Sequence, residues 1–216
     1  MRGPVDSTTG RAIFYRVTGK LGNKGEATRA AILDSALEIA SADGLEGLTL
    51  GTLAEQVGMS KSGLFAHFKS KEQLQLAALQ RGVERFTQKV LAPALKAERG
   101  EARVRALFDA MLRWEKHEFP GGCVLQTAIV EFDDHPGVVN ELLVETQRDW
   151  FDSLITIARA GVESRAFRKD LDTRLFAFEL MNVFAGYRRH ARLLKDRDAE
   201  KLARRALDEL LARARA

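Results

Sequence analysis

The sequence predicts an all-α protein in which a three-helix helix-turn-helix head is joined by a long helix to a larger helical bundle. Apolar residues recur at helical spacing along most of the chain after its first 26 residues. Only four prolines interrupt the 216 residues, and alanine, leucine, glutamate and arginine, which favour helices, are abundant. Residues 49–71 have the spacing of two short helices joined by a tight turn. These three observations predict the fold class.

The chain begins with a basic arm, residues 1–26, that we expect to be flexible. Residues 1–29 contain six lysines and arginines against two acidic residues, whereas the rest of the chain contains 28 of each. A basic arm ahead of a helix-turn-helix suggests phosphate or minor-groove contact. A disordered tail, or a start codon assigned too far upstream, is an equally good explanation. The sequence leaves this choice open.

The head is predicted over residues 27–72. Its first helix begins at the N-cap Thr28 and ends at Gly44. The second helix follows the N-cap Thr49 and ends at Gly58, because glycine adopts the left-handed conformation that closes a helix at no steric cost.

The second and third helices have the packing pattern of a helix-turn-helix. Ala54 is small where the two helices must cross closely, and Leu64 is apolar where the third helix packs back on the second. Ser60 caps the third helix, whose polar residues point outward, although a helix buried in a bundle would gain nothing from them. The motif therefore predicts a DNA-binding head and disfavours an ordinary helical hairpin.

The helical bundle is predicted over residues 73–216. Ser70 caps a fourth helix that continues to Pro93 and is long enough to connect the head to the body. Beyond Gly100, breakers separate five further helices. These cover residues 100–119, 123–132, 133–167, 172–195 and 198–216, with Asp198 as the N-cap of the last. Residues 123–132 are the ambiguous segment, since their β-branched side chains also favour strands.

The residue types present argue against an enzyme or a metalloprotein. The one cysteine, Cys123, excludes an internal disulfide, and there is no CxxC or HExxH pattern. The four histidines are scattered, and the acidic cluster at 131–135 is typical of turn and cap residues rather than of metal ligands. No cofactor or metal is expected. No apolar run approaches the ~18 residues of a membrane helix, so we expect a soluble protein of the cytoplasm.

The head resembles the tetracycline-repressor-like (TetR) family of bacterial one-component regulators. In that family the first helix ends in a glycine turn, as residues 42–44 do here, and a threonine opens the second helix, here Thr49. An aromatic-rich signature ends the third helix, here LFAHF at 64–68, and a lysine opens the fourth, here Lys71. The resemblance covers roughly residues 27–75 by motif, and the rest of the chain by helix number and order.

The resemblance implies a homodimer that binds double-stranded DNA at a palindromic operator and releases it when a small molecule binds. It implies that Thr49, His67 and Lys71 contact phosphates. Phe65 stands where the family usually has tyrosine, so a hydrogen bond is lost while contact with a thymine methyl remains. Gly63 likewise lacks the side chain that is usual there. The DNA-contacting residues predicted in this way are Thr49, Ser60, Lys61, Ser62, Gly63, Phe65, His67 and Lys71.

The bundle is expected to hold a small hydrophobic or aromatic effector. Apolar cavities between bundle helices, with a few polar groups, are the usual sites of small ligands. Glu179 and Asn182 lie on a strongly apolar helix, where polar groups need partners. The candidate ligand contacts are Trp114, Phe119, Gln126, Thr127, Trp150, Phe151, Glu179 and Asn182. Core packing of the aromatic residues, and an interhelical bond or an exposed face for the polar ones, are open alternatives.

By the same resemblance, the last two helices form a four-helix interface with those of a second copy. The candidate interface residues are Phe178, Val183, Phe184, Leu207 and Leu211. The sequence thus predicts a homodimeric transcriptional repressor that is released from its operator by an effector. Two alternatives remain: a constitutive DNA-binding regulator without an effector, and an enzyme on a helical body that retains the head as a relic.

Overall fold

The computed structural model of the protein describes residues 24–216, and these residues form helices joined by short connections. Within this range there is no β-strand, apart from an isolated bridge between Phe167 and Arg215. The all-α prediction is therefore confirmed. The predicted arm falls almost entirely on residues 1–23, which lie outside the described residues.

Three helices form the head. They are α1 (Lys24–Gly47), α2 (Leu50–Val57) and α3 (Lys61–His67). The predicted N-cap at Thr28 is wrong, because Thr28 lies inside α1; Glu26 in the first turn favours an earlier start by complementing the helix dipole. Gly44 breaks α1 as predicted, with φ at 79° and ψ at 165°. A further helical turn then ends at Gly47.

The long connector is continuous but not uniformly α-helical. α4 (Lys71–Phe86) passes into a π-helical turn, Thr87–Leu91, and then into the short α5 (Ala92–Leu95). The buried Thr87 hydroxyl donates a hydrogen bond to the Val83 carbonyl at 2.8 Å. A π-helical turn holds an extra residue, so the side chains beyond Thr87 are rotated relative to those of a regular α-helix.

The rest of the chain forms five helices, as predicted. They are α6 (Glu101–His117), α7 (Val124–Phe132), α8 (Val138–Glu163), α9 (Thr173–Arg188), which continues as a π-helical turn at Arg189–Leu193, and α10 (Ala199–Ala214). The ambiguous segment is helix α7. The expected cap of α10 needs a correction: Asp198 precedes the helix, but its side chain caps nothing, and its own N–H donates to Asp196 instead.

The chain divides into two compact units that do not follow the order of the sequence. Among the described residues, the first unit contains residues 24–89 and 113–147, and the second contains residues 90–112 and 148–216. In the first unit, α1, α4 and α7 pack closely at Gly82, where an added Cβ would lie 3.3 Å from Leu37, Val124 and Leu125. These units describe packing only. The predicted boundary at residue 72, between a DNA-binding head and a ligand-binding body, stays a prediction.

The second unit has an aromatic core and is closed by ion pairs that join residues far apart in the sequence. Phe108 stacks on Phe184 with 5.4 Å between ring centroids, and Phe167 packs against Phe176 at 5.5 Å. Three arginines of α10 and the C-terminus pair with carboxylates of α6 and α9. The pairs are Arg204–Asp109, Arg213–Glu179 and Arg215–Glu101, each with an N–O distance of 2.8 Å.

No helix among residues 24–216 combines the length and the apolar character needed to cross a membrane.

Candidate DNA-binding site

The start of α2 is fixed by a reciprocal cap. The Thr49 hydroxyl accepts a hydrogen bond from the Thr52 N–H, and the Thr52 hydroxyl accepts one from the Thr49 N–H, both at 3.0 Å. These bonds satisfy two backbone donors near the first turn, as in a capping box. The helix ends at Gly58, which has φ of 66°, so the predicted left-handed glycine is confirmed.

The start of α3 is fixed in the same local way. The Ser60 hydroxyl accepts a hydrogen bond from the Gly63 N–H at 3.1 Å and lies 3.1 Å from the Ser62 hydroxyl. Behind these caps, four residues of α2 and α3 are buried against each other and the rest of the head. They are Leu53, Ala54, Leu64 and Phe68. The packing pattern of the helix-turn-helix is therefore confirmed.

The predicted DNA-contacting residues lie at or near the surface of the head. Thr49 and Gly63 are half-buried and the other six are exposed. The Lys61 ammonium approaches the first turn of α2: it lies 3.5 Å from the point that a Cβ on Gly51 would occupy, and the Thr49 hydroxyl is equally close to that point. Phe65 is 55% exposed, which is unusual for a large aromatic side chain.

Lys71, the first residue of α4, has a partner that sequence reasoning missed. Its ammonium lies 2.8 Å from the Glu46 carboxylate at the end of α1. The pKa of Glu46 lies below its usual value, chiefly because Lys71 donates this hydrogen bond. The sequence holds no local signal for the pair, because its members are 25 residues apart.

The peptide of Leu45 is held from two sides. Its N–H donates to the Glu131 carboxylate of α7 at 2.8 Å, and its carbonyl accepts from the buried Gln75 amide of α4 at 2.7 Å. Glu131 therefore caps the helical turn that follows the break at Gly44. The sequence predicted that the acidic cluster around Glu131 holds cap residues, and Glu131 is one. The N–H that it caps, however, lies 86 residues away in the sequence.

A second contact joins the other end of α7 to α1. The Gly121 N–H donates to the Ser41 hydroxyl at 3.2 Å, and a Cβ on Gly121 would overlap the Ser41 carbonyl and the Ala42 nitrogen. Both ends of the segment 121–131 thus contact the last two turns of α1, just before the helix-turn-helix. A glycine pair beside a proline suggests a turn, but nothing in the sequence says what it touches.

A network of charges connects α1, α4 and the end of α6 in the first unit. Asp34 accepts from Arg81 at 2.8 Å and pairs with Arg85 at 3.0 Å, while Arg85 and Lys89 both pair with Glu118. Burial by itself raises the pKa of Asp34, but hydrogen bonds and charges from the two arginines lower it below its usual value overall.

Four of the predicted ligand contacts lie in the first unit. Trp114 is buried, with the rings of Phe86 and Phe119 edge-on at 5.4 and 5.5 Å. Its indole N–H finds no acceptor among the described residues. Gln126 and Thr127 are half-buried on α7, and the Thr127 hydroxyl donates to the Cys123 carbonyl at 3.3 Å.

The other four lie in the second unit and are not grouped in one interior site. Trp150 is buried near Phe184, whereas Phe151 lines an open hollow of about 440 Å³. Glu179 pairs with Arg213, and the exposed Asn182 amide donates to the Phe178 carbonyl of its own helix at 2.8 Å. Glu179 and Asn182 therefore have partners within the chain, in agreement with the open alternatives of an interhelical bond and an exposed face, and their contact with a ligand stays a prediction. The hollow is lined by Phe151, Asp172, Arg174, Leu175, Phe178 and Met181.

Three of the predicted dimer contacts need correction. Phe184, Leu207 and Leu211 are buried within the chain itself, so their side chains offer no surface to a partner. The apolar stripes of α9 and α10 that suggested them pack chiefly inside the second unit. Phe178 is 55% exposed and Val183 is half-buried, and these two keep accessible surface.

Residues 24–216 contain no group of three or more histidine, cysteine or acidic side chains arranged to hold a metal ion. Two carboxylates of the acidic cluster at 131–135 accept hydrogen bonds from backbone N–H groups. Besides the cap made by Glu131, the Asp133 carboxylate accepts the Asp134 N–H at 3.0 Å.

Comparisons with known proteins agree with this geometry. Residues 32–78 match the family described as bacterial regulatory proteins of the tetR family, and residues 100–207 match the tetracyclin repressor-like C-terminal domain. A helix-turn-helix head followed by such a body defines a one-component transcriptional regulator. The chain belongs to the TetR family of DNA-binding transcriptional regulators.

Individual relatives extend over most of the chain. The HTH-type transcriptional regulator SrpR of Pseudomonas putida is 27% identical over 186 residues, which are 84% of this chain and 83% of SrpR. A TetR-family regulator from Cytophaga hutchinsonii has the same fold, with a TM-score of 0.79 at 23% identity over 91% of this chain and 99% of that one. A regulator from Saccharomonospora viridis, solved with choline, gives 0.73 at 21% identity over 89% of this chain and all of that one.

Proposed function

We propose that this regulator is a homodimeric repressor that binds a palindromic operator and is released from it by a small hydrophobic or aromatic effector. The observation that carries the proposal is the capped helix-turn-helix, whose predicted DNA-contacting side chains stay at the surface while its apolar residues are buried. As a regulator of bacterial genes it would act in the cytoplasm and carry out no catalysis.

The proposed roles follow from the chemistry of each side chain. Thr49 and Lys61 lie together at the start of α2, where backbone N–H groups and an ammonium attract phosphate. His67 and Lys71 extend this contact along the DNA backbone. The exposed Phe65, with Ser60, Ser62 and Gly63 beside it, faces the base edges, where an aromatic ring can contact a thymine methyl.

Dimerisation is proposed through the exposed apolar face of α9. Leu175 and Phe178 are 53% and 55% exposed and border the open hollow. Apolar surface of this kind is usually covered in a stable assembly. Phe178→Arg should produce a monomer in native mass spectrometry, whereas Val130→Arg, a change at an exposed valine of α7, should leave the assembly intact. A Phe178→Arg protein that stays dimeric would exclude this face.

The effector site is proposed around Trp114. A buried indole N–H without an acceptor costs stability, and a ligand with a hydrogen-bond acceptor between aromatic rings would satisfy it. The S. viridis regulator, which holds choline, supports the idea that bodies of this fold accommodate small molecules. Trp114→Phe keeps the ring packing and removes the donor, so it should weaken effector response while leaving operator affinity unchanged.

Titrating the protein onto its own promoter at increasing salt tests the function. We expect preference for the promoter over unrelated duplex DNA and a steep loss of affinity with salt, because phosphate contacts release counterions. Binding with neither property would exclude the regulator and favour the relic-head enzyme. Promoter binding that no molecule from the host alters would favour the constitutive regulator.

A further inference from the structure

Lys71, which is proposed to contact a DNA phosphate, already forms an ion pair with Glu46 on the same surface of the head. Lys71 and Glu46 lie 2.8 Å apart, and their side chains remain 42% and 59% exposed. An exposed ion pair of this kind is weak and exchanges readily with other partners. A DNA phosphate that approaches Lys71 therefore meets an ammonium whose charge is partly neutralised.

The backbone beside the carboxylate is held by α4 and α7. Gln75 is buried on α4 and donates to the Leu45 carbonyl at 2.7 Å, and the Leu45 N–H donates to Glu131 of α7 at 2.8 Å. Because Glu46 directly follows Leu45, these two bonds also set the position of the Glu46 backbone next to the start of α4. The Glu46 side chain therefore stays within reach of Lys71 when the ammonium changes partner.

We propose that Glu46 limits the DNA affinity of the head by competing with backbone phosphate for Lys71. When a phosphate takes the ammonium, the carboxylate remains beside it, and two like charges then face each other across Lys71. Glu46 is thus a residue that tunes the interface without contacting DNA. This inference rests on the proposed phosphate contact of Lys71.

Glu46→Gln tests the proposal directly. The change keeps the size and the polar character of the side chain, and it removes the charge. We expect DNA affinity to rise about two- to fivefold for each head, the scale of an exposed charge pair, and the salt dependence to become steeper by up to about one unit for each freed lysine. Fluorescence anisotropy with a short duplex of arbitrary sequence measures both, because a phosphate contact does not depend on sequence.

Glu72→Gln is the matched control. It removes the same charge from the residue next to Lys71 but leaves the ion pair with Glu46 intact. The competition predicts a smaller gain in affinity for Glu72→Gln than for Glu46→Gln. Equal gains would mean that only the overall charge of the head matters, and would overturn the proposal.

Lys71→Ala is made in both the natural and the Glu46→Gln chain. It distinguishes the proposed phosphate contact of Lys71 from the proposed competition by Glu46. We expect a larger loss of affinity in the Glu46→Gln chain, where Lys71 is fully available. If Lys71→Ala weakens binding equally in both chains and Glu46→Gln tightens nothing, the competition is wrong but the phosphate contact stands. If Lys71→Ala has no effect in either chain, the proposed phosphate contact itself is wrong and the competition with it.

Discussion

The helix-turn-helix and the second unit are stabilised by polar contacts of very different range. In the helix-turn-helix, the caps at Thr49 and Ser60 each join residues three apart. In the second unit, Arg204 and Arg215 reach carboxylates 95 and 114 residues away. The first kind of contact closes a loop of only three residues, whereas the second requires distant parts of the unit to come together.

Because of this difference in range, we expect the helix-turn-helix and the second unit to tolerate different amino-acid substitutions. A local cap is independent of the rest of the molecule, so the helix-turn-helix keeps its shape while its surroundings vary. A long-range pair requires two distant residues to change together. Long-range contacts are also present immediately before the helix-turn-helix, where the segment 121–131 contacts α1 and where Lys71 and Gln75 of α4 reach Glu46 and Leu45. The following predictions test that distinction.

The largest loss of stability is expected from a substitution at Gly121. This residue lies so close to the backbone of α1 that no side chain fits there. Gly121→Ala places a Cβ on the backbone of Ser41 and Ala42 and should lower the free energy of unfolding by about 3 kcal/mol. Gly186→Ala is the control: its Cβ would meet nothing within 4 Å on helix α9, and it should raise stability by about 0.5–1 kcal/mol. Denaturant unfolding measures both. Equal stability of the two variants would mean that the backbone of α1 moves away from the added Cβ without a cost in free energy.

A smaller effect is expected at Glu131. Glu131→Ala leaves the Leu45 N–H without its acceptor and should cost about 1–2 kcal/mol. Glu131→Gln keeps an acceptor oxygen and should recover most of this loss. Hydrogen exchange at the Leu45 amide is the specific measurement, since the alanine variant should exchange faster there. Unchanged protection would show that this bond does not hold the end of α1.

The local cap should matter less for global stability. Thr49→Ala removes the hydroxyl that accepts the Thr52 N–H, while the bond from the Thr49 N–H to the Thr52 hydroxyl remains, and it should cost about 1 kcal/mol. Thr49→Ser keeps the hydroxyl and should behave like the natural chain. Exchange at the amides of α2 should rise in the alanine variant while α10 is unaffected. Loss of protection in both helices would contradict the independence of local caps.

The smallest effect is expected from Arg215→Ala, and it should decrease as the pH falls from 4.5 toward 2. The hydrogen bond from Arg215 contributes most to lowering the pKa of Glu101 from its usual 4.5 to about 2. A lowered carboxyl pKa stabilises the fold above pH 4.5, and this stabilisation is lost as the pH falls toward 2. Arg215→Ala should lower Tm by roughly 1–3 °C at pH 7, an exposed pair being weak, and by less at pH 3.

Arg205→Ala is the matched control for this variant. It removes the same charge from α10, where Arg205 reaches only a neighbouring exposed carboxylate, Glu209, at 3.4 Å. It should change Tm little at either pH. A Tm loss for Arg215→Ala that is the same at pH 3 and pH 7 would indicate lost packing rather than the ion pair.

The parts of the molecule that sequence could predict are those with short-range causes. Thr49, Gly58 and Ser60 occupy the predicted cap positions, because the chemistry of a cap depends on residues three or four positions away. The helices of the body were predictable from their apolar period. Their inner and outer faces were harder to assign, which is why the buried Leu207 was expected at a dimer surface.

The contacts that sequence did not predict join distant positions. Nothing near Glu46 indicates that Lys71 reaches it, and nothing near Glu131 indicates that it caps Leu45. The prediction at Thr28 was wrong for a different reason: threonine favours helix starts, but Glu26 and Ala27 before it favour helix, and α1 begins earlier in spite of Gly25. Such competition between local preferences is decided by a few tenths of a kcal/mol per residue.

The attachment of residues 121–131 to α1 bears on the engineering of hybrid regulators. Exchanging the heads of two related proteins at the predicted boundary, residue 72, would separate Leu45 from Glu131 and Ser41 from Gly121. The end of α1 in a foreign head would then have to fit a Glu131 carboxylate and a Gly121 turn that are matched to a different backbone. A hybrid that carries residues 113–147 together with the new head keeps these pairs matched, and the natural unit of exchange is therefore discontinuous in sequence.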